Sequence, residues 1–184
     1  MTSPASVGGD ERLRLFLGLR LPEPALDGIE AWQREQLPAT VRVVPREHLH
    51  LTLAFLGRRP IGDVPAVADA LRAPAASAGP IVLAPRRYRE TQSVGMLVLD
   101  DEDGRAAALA DDLHGRLERL GVYEREPRPW LPHVTVVRFR RPPRLAPAPP
   151  ELGAFRPSDV AVYHSVLRSG GAQYEVLESF ALGG

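Results

Sequence analysis

Between Arg12 and Arg20 the chain alternates, with Leu13, Leu15, Leu17 and Leu19 on one face and Arg14, Phe16 and Gly18 on the other. That period-two pattern predicts a half-buried strand. Helical spacing takes over from Pro22 to Gln36, where Leu26, Ile29 and Trp32 form a stripe behind an early proline. A short strand is expected over Thr40–Val44 and a longer one from about Leu49 to Leu56, ended by Gly57 and Pro60. A second helix is predicted over Val64–Ala76, and strands near Ile81–Arg89 and Val94–Leu99. Asp100–Asp103 suit a helix N-terminus. The stripe Leu109, Leu113, Leu117 and Leu120 marks a third helix over Arg105–Leu120, stopped by Gly121. A strand from His133 to about Phe139 and a proline-rich loop, Pro142–Pro150, lead to two closing strands, Val160–Leu167 and Tyr174–Ala181. The order strand, helix, strand, strand, helix, strand thus occurs about twice. The expected fold class is α+β: two pseudo-symmetric lobes, each an antiparallel-rich sheet with outer helices, and a cleft between them.

Two of those strands carry nearly the same text. Leu49-His50-Leu51-Thr52-Leu53 and Pro132-His133-Val134-Thr135-Val136 lie 83 residues apart, histidine to histidine. Alternation puts each His/Thr pair on one face and the aliphatic residues on the other. A duplicated half-unit would bring the two pairs together across the cleft, their aliphatic faces packed under the helices. Two imidazoles facing one substrate can give and take a proton near neutral pH. Each threonine hydroxyl can donate to an oxygen on which charge accumulates. On spacing alone, acid and base roles are interchangeable.

Composition narrows the chemistry. At 184 residues and 44% apolar content, one domain is expected over 11–184, with residues 1–10 a disordered tail. The 23 basic and 23 acidic residues balance, so any polyanion site is local. Cysteine is absent, which removes thiolate nucleophiles and thiolate metal sites. Lysine is absent too, and with it the P-loop lysine and lysine-adduct nucleotidyl transfer. No apolar run approaches the roughly 20 residues that span a bilayer, and no signal-peptide pattern opens the chain. A cytoplasmic, monomeric enzyme without membrane association is expected.

The ordered set of motifs resembles the 2H phosphoesterase superfamily, and within it the RNA 2′,3′-cyclic phosphodiesterases, also called LigT-like or 2′-5′ RNA ligase-like proteins. Arg12-Leu13-Arg14-Leu15-Phe16 is similar to the family's opening strand. Arg42-Val43-Val44-Pro45 with Leu49–Gly57 is similar to its first motif block, and Pro132–Arg138 to its second. Val162-Tyr163-His164-Ser165 and Tyr174-Glu175-Val176-Leu177 are similar to its closing strands. The resemblance implies hydrolysis of RNA 2′,3′-cyclic phosphate ends to 2′-phosphomonoesters without metal or other cofactor. ATP-independent 2′-5′ joining is a related activity. It makes His50 the proton donor and His133 the proton acceptor, with Thr52, Thr135 and Arg138 on the phosphate. Phe16 is a candidate for stacking a base, with a core role equally open.

This chain departs from the family pattern at Val43, a position that often holds tryptophan, and at His48, where asparagine is more usual. Arg138 poses a geometric question, because strict alternation sets it opposite His133 and Thr135. It reaches the phosphate only if the strand bulges or ends before it. The remaining histidines, His114 on a polar helix face and His164, are expected to be structural or solvated, and the arginines of 86–89 and 138–141 to form a solvated rim. Three alternatives stay open: a small cyclic nucleotide or 2′-5′ oligonucleotide as substrate, a non-catalytic RNA-end binder, and a metal hydrolase in which His48 and His50, sharing a strand face, are joined by His133.

Overall fold

A computed structural model describes residues 11–183; the expected tail, 1–10, lies outside them. In chain order the elements are β1 (Arg12–Arg20), α1 (Glu23–Gln36), β2 (Arg42–Val43), β3 (His50–Pro60), α2 (Val64–Ser77), β4 (Ala84–Glu90), β5 (Val94–Asp100), α3 (Arg105–Arg119), β6 (His133–Arg138), β7 (Asp159–Arg168) and β8 (Gly171–Ala181). The alternating leucines of β1 are all buried, as their spacing requires. Phe16 and Tyr163 are buried as well, on the opposite face, where β1 and its neighbour β7 floor a cleft.

The strands form an α+β architecture around one curled sheet, ordered β4-β5-β6-β3-β1-β7-β8, with β2 added on β6. Every pairing is antiparallel. The two lobes meet where β3 and β6 share a single residue pair, Leu51 with Val134. On either side of that seam the order repeats: β3-β1-β7 answers β6-β5-β4. The β4, β5 and β6 strands follow one another in the chain, whereas the β3-β1-β7 triplet draws β7 from beyond them.

The expected double run of strand, helix, strand, strand, helix, strand is complete only once, from β1 to β4. In the second run 120–132 holds no strand and the proline-rich 139–158 holds no helix, apart from a lone bridge between Phe155 and Leu83. The expected strand at Thr40–Val44 shrinks to β2, and β4 begins at Ala84 rather than Ile81.

The helices cover the sheet on the side away from the cleft. α1 buries Ala25, Ile29, Trp32 and Gln33, with Leu26 only half-buried beside them. It crosses to the β4-β5-β6 lobe, where Trp32 meets Tyr88 at 6.1 Å between ring centroids. α3 buries Leu109, Leu113, Leu117 and His114 and lies against α2 and β3. The stripe stops at Leu117; Leu120 is exposed beyond the last turn. Asp101 caps α3, its carboxylate accepting from Ala106 N–H at 3.2 Å and Ala107 N–H at 2.8 Å. α2 covers β7 and β8. No helix among the described residues is long and apolar enough to cross a membrane.

Candidate active site

The seam sets the site. Leu51 and Val134 follow the two motif histidines directly, and both are fully buried in the core. Antiparallel pairing about that point sends His50 toward Thr135 and Thr52 toward His133. All four side chains, with Arg138, line one cleft of about 820 Å³. The two motifs that the sequence suggested would face each other do so.

Each imidazole is held the same way. His50 Nδ1 lies 2.8 Å from the carbonyl of His48, and His133 Nδ1 lies 2.8 Å from the carbonyl of Leu131. A carbonyl only accepts, so Nδ1 carries the proton in both rings and Nε2 keeps its lone pair for chemistry. His50 Nε2 accepts from the Thr52 hydroxyl at 2.9 Å. The His50 ring rests on aromatic support: Phe16 at 4.9 Å, with Tyr163 stacked on Phe16 at 4.7 Å and Tyr174 edge-on to it at 4.8 Å. Gly18 leaves the gap the ring needs, because a Cβ there would sit 3.2 Å from His50 Cδ2 and 3.0 Å from Leu51 O. Burial pushes the His50 pKa down to about 4, against the raising effect of the His48 carbonyl and aided by repulsion from the neighbouring His48, Arg138 and His133 side chains. His50 is therefore neutral at pH 7 in the free protein.

Arg138 reaches the cleft through a bulge. Across β5 and β6, Thr135 pairs with Met96 but Val137 pairs with Gly95, so Val136 is the extra residue. Val136 and Val137 both point into the core, and the next side chain, Arg138, turns back to the side of His133 and Thr135. The carbonyl of Val136 accepts from Val44 N–H at 2.9 Å and from the buried Gln33 side chain at 2.8 Å. Strand β3 carries the counterpart. Thr52 pairs with Gly18 and Ala54 with Leu17, leaving Leu53 extra. Leu53 and Ala54 are buried, and Phe55 swings out into the cleft. The Leu53 carbonyl accepts from His114 Nε2 of α3 at 2.7 Å. A helix side chain thus steadies each bulge.

Of the two roles left open for Phe16, the core one fits its burial: the ring is only 3% exposed and supports His50. Two expectations need correction. His114 is buried and bonded to the β3 bulge, where a polar helix face was expected. His48 does not share the His50 strand; it ends a short 3-10 turn, Arg46–His48, and packs against Tyr174 at 4.3 Å. Among the described residues no group of three or more His, Asp or Glu is arranged to hold a metal ion. His164 is half-buried, 3.7 Å from Glu175. Sequence reasoning missed Trp130, whose indole N–H donates to the Thr52 carbonyl at 3.1 Å and ties the approach to β6 onto β3. Its position two residues before Pro132 was the available signal.

Taken together, the cleft offers two tautomer-fixed imidazoles, two hydroxyl donors and a guanidinium to one anionic group. Such a set can move protons on both sides of a phosphoryl centre.

Known proteins resemble this chain in sequence and in fold. Residues 21–171 match the 2′-5′ RNA ligase superfamily. The chain is 31% identical to an RNA 2′,3′-cyclic phosphodiesterase of Thermus thermophilus, over 94% of this chain and 91% of that one. It is 27% identical to an RNA 2′,3′-cyclic phosphodiesterase of Escherichia coli, over 94% and 98% of the two chains. A crystal structure from Thermus thermophilus superposes with a TM-score of 0.81 at 29% identity, covering 94% of this chain and 99% of that one. The fold also matches Escherichia coli LigT in complex with 3′-AMP, with a TM-score of 0.82 at 24% identity over 95% of this chain and all of that one (100%). The match spans both histidine motifs, and the chain belongs to the 2′-5′ RNA ligase superfamily.

Proposed function

We propose that this protein hydrolyses the 2′,3′-cyclic phosphate end of RNA to a 2′-phosphomonoester, using His50 and His133 as its acid and base. The observation that carries this reading is the placing of two identically tethered imidazoles astride one backbone pair, with Thr52, Thr135 and Arg138 in the same cleft. The names of the two relatives point to the same substrate.

In this mechanism Arg138 and the threonine hydroxyls hold the non-bridging oxygens of the cyclic phosphate. Burial is what chiefly keeps His50 neutral in the free protein; the substrate anion favours its charged form and offsets Arg138, so His50 takes up a proton as substrate docks. His133 Nε2 removes a proton from water, whose oxygen bonds to phosphorus. The bond from phosphorus to O3′ breaks, and His50 Nε2 delivers its proton to that oxygen. One water is consumed and a 2′-phosphate remains. A ribose hydroxyl in place of the water would give a 2′-5′ linkage by the same steps, without ATP.

Product analysis on a short RNA with a 2′,3′-cyclic end tests the reading. A 2′-phosphate product is expected, at full rate in excess chelator; a 3′-phosphate product or no turnover would sink it. His50→Ala and His133→Ala should each lower turnover by about 10²–10⁴-fold with an unchanged far-UV spectrum.

A further inference from the structure

The β3 bulge has a visible cost and no role in the chemistry above. It takes Phe55 out of the core and leaves it 51% exposed in the cleft, where an alternating strand would have buried it. Phe55 stands five residues after His50, as Arg138 stands five after His133, and each is turned out by its own bulge. The two halves therefore present different groups at equivalent places: a guanidinium in one, an aromatic plane in the other. Arg14 of β1 lies over the Phe55 ring, 5.0 Å from its centroid, and also lines the cleft. Arg14 is exposed, and among the described residues no carboxylate pairs with it.

A half-exposed aromatic ring with a guanidinium laid over it, both lining the cleft, matches a nucleobase with its attached phosphodiester. We infer that Phe55 and Arg14 form a subsite for the nucleotide immediately 5′ of the terminal one. The penultimate base stacks on Phe55, and Arg14 pairs with the phosphodiester joining the last two nucleotides. This rests on the function proposed above and adds to it a preference for chains over single nucleotides. Phe16 cannot supply the platform, because its ring is enclosed by His50, Tyr163 and Tyr174.

The test compares a mononucleotide 2′,3′-cyclic phosphate with a trinucleotide carrying the same end. The wild-type protein should favour the trinucleotide in kcat/KM by about tenfold or more, the range expected for one stacked base. Phe55→Ala should collapse that ratio toward one, mainly through KM, while Phe55→Trp keeps it. Arg14→Gln should lower the ratio and flatten its dependence on salt. An equal loss on both substrates in Phe55→Ala, or a wild-type ratio near one, overturns the subsite. If wild type turns over neither substrate, the reaction proposed above fails. Calorimetric titration with 2′-phosphorylated mono- and trinucleotides then decides the subsite on affinity alone: a tenfold preference lost in Phe55→Ala supports it, and equal affinities overturn it.

Discussion

At the scale of single residues, the behaviour of His50 follows from what surrounds it. A largely enclosed imidazole beside Arg138 and two further imidazoles resists charging, and its pKa near 4 predicts the acid side of the pH profile. The acid limb of kcat/KM, which reports the free enzyme, should fall near pH 4 rather than near the ordinary imidazole value. An acid limb between pH 6 and 7 would remove this account. The same depression acts on stability. The folded state binds the His50 proton less readily than the unfolded chain, so this group's contribution is present above about pH 6.5 and lost as pH falls toward 4. In urea titrations, His50→Gln should flatten that part of the stability profile. Gly18 offers a subtler probe. Gly18→Ala places a methyl group 3.2 Å from His50 Cδ2, which moves the ring without removing it. A displacement of even a fraction of an ångström should cost about tenfold in kcat, with little change in the unfolding midpoint.

At the scale of elements, much was legible and one class of feature was not. Both motif strands and all three helices stood where periodicity put them, within a few residues, because their buried stripes are strong. The bulges at Leu53 and Val136 left no such trace. A bulge preserves the aliphatic character of its strand while shifting the phase by one, so Phe55 and Arg138 look core-facing when counted from the histidines. Gln33 and His114 were unreadable too, since each bonds a backbone carbonyl at a bulge whose place the sequence does not mark. Gln33→Leu should destabilise the fold by about 1–2 kcal/mol, through the partner it takes from a buried carbonyl, and loosen Arg138. If Gln33 acts through Arg138, the double variant Gln33→Leu/Arg138→Ala should be no less active than Arg138→Ala alone. Additive losses in kcat/KM would separate the two residues.

At the scale of the whole molecule, the cleft depends on contacts that cross the seam. Beyond the single Leu51–Val134 pair, the Trp130 indole bonded to the Thr52 carbonyl holds the two histidine strands in relation. Trp130→Phe keeps the ring and removes that bond. It should cost about 1 kcal/mol in urea unfolding and lower kcat more than it raises KM, because it alters the spacing of acid and base rather than the phosphate contacts. A selective rise in KM would argue against that role.

The repeat about the seam reaches past architecture. A displacement at phosphorus with entering and departing oxygens on opposite sides looks alike when viewed from either end. A cavity assembled from duplicated strands has that same indifference to direction, and exchanging the duties of His50 and His133 retraces the path from product to reactant. The two outward-turned neighbours, an arginine in one half and a phenylalanine in the other, break that symmetry, and under the proposed reading they give the cavity a direction.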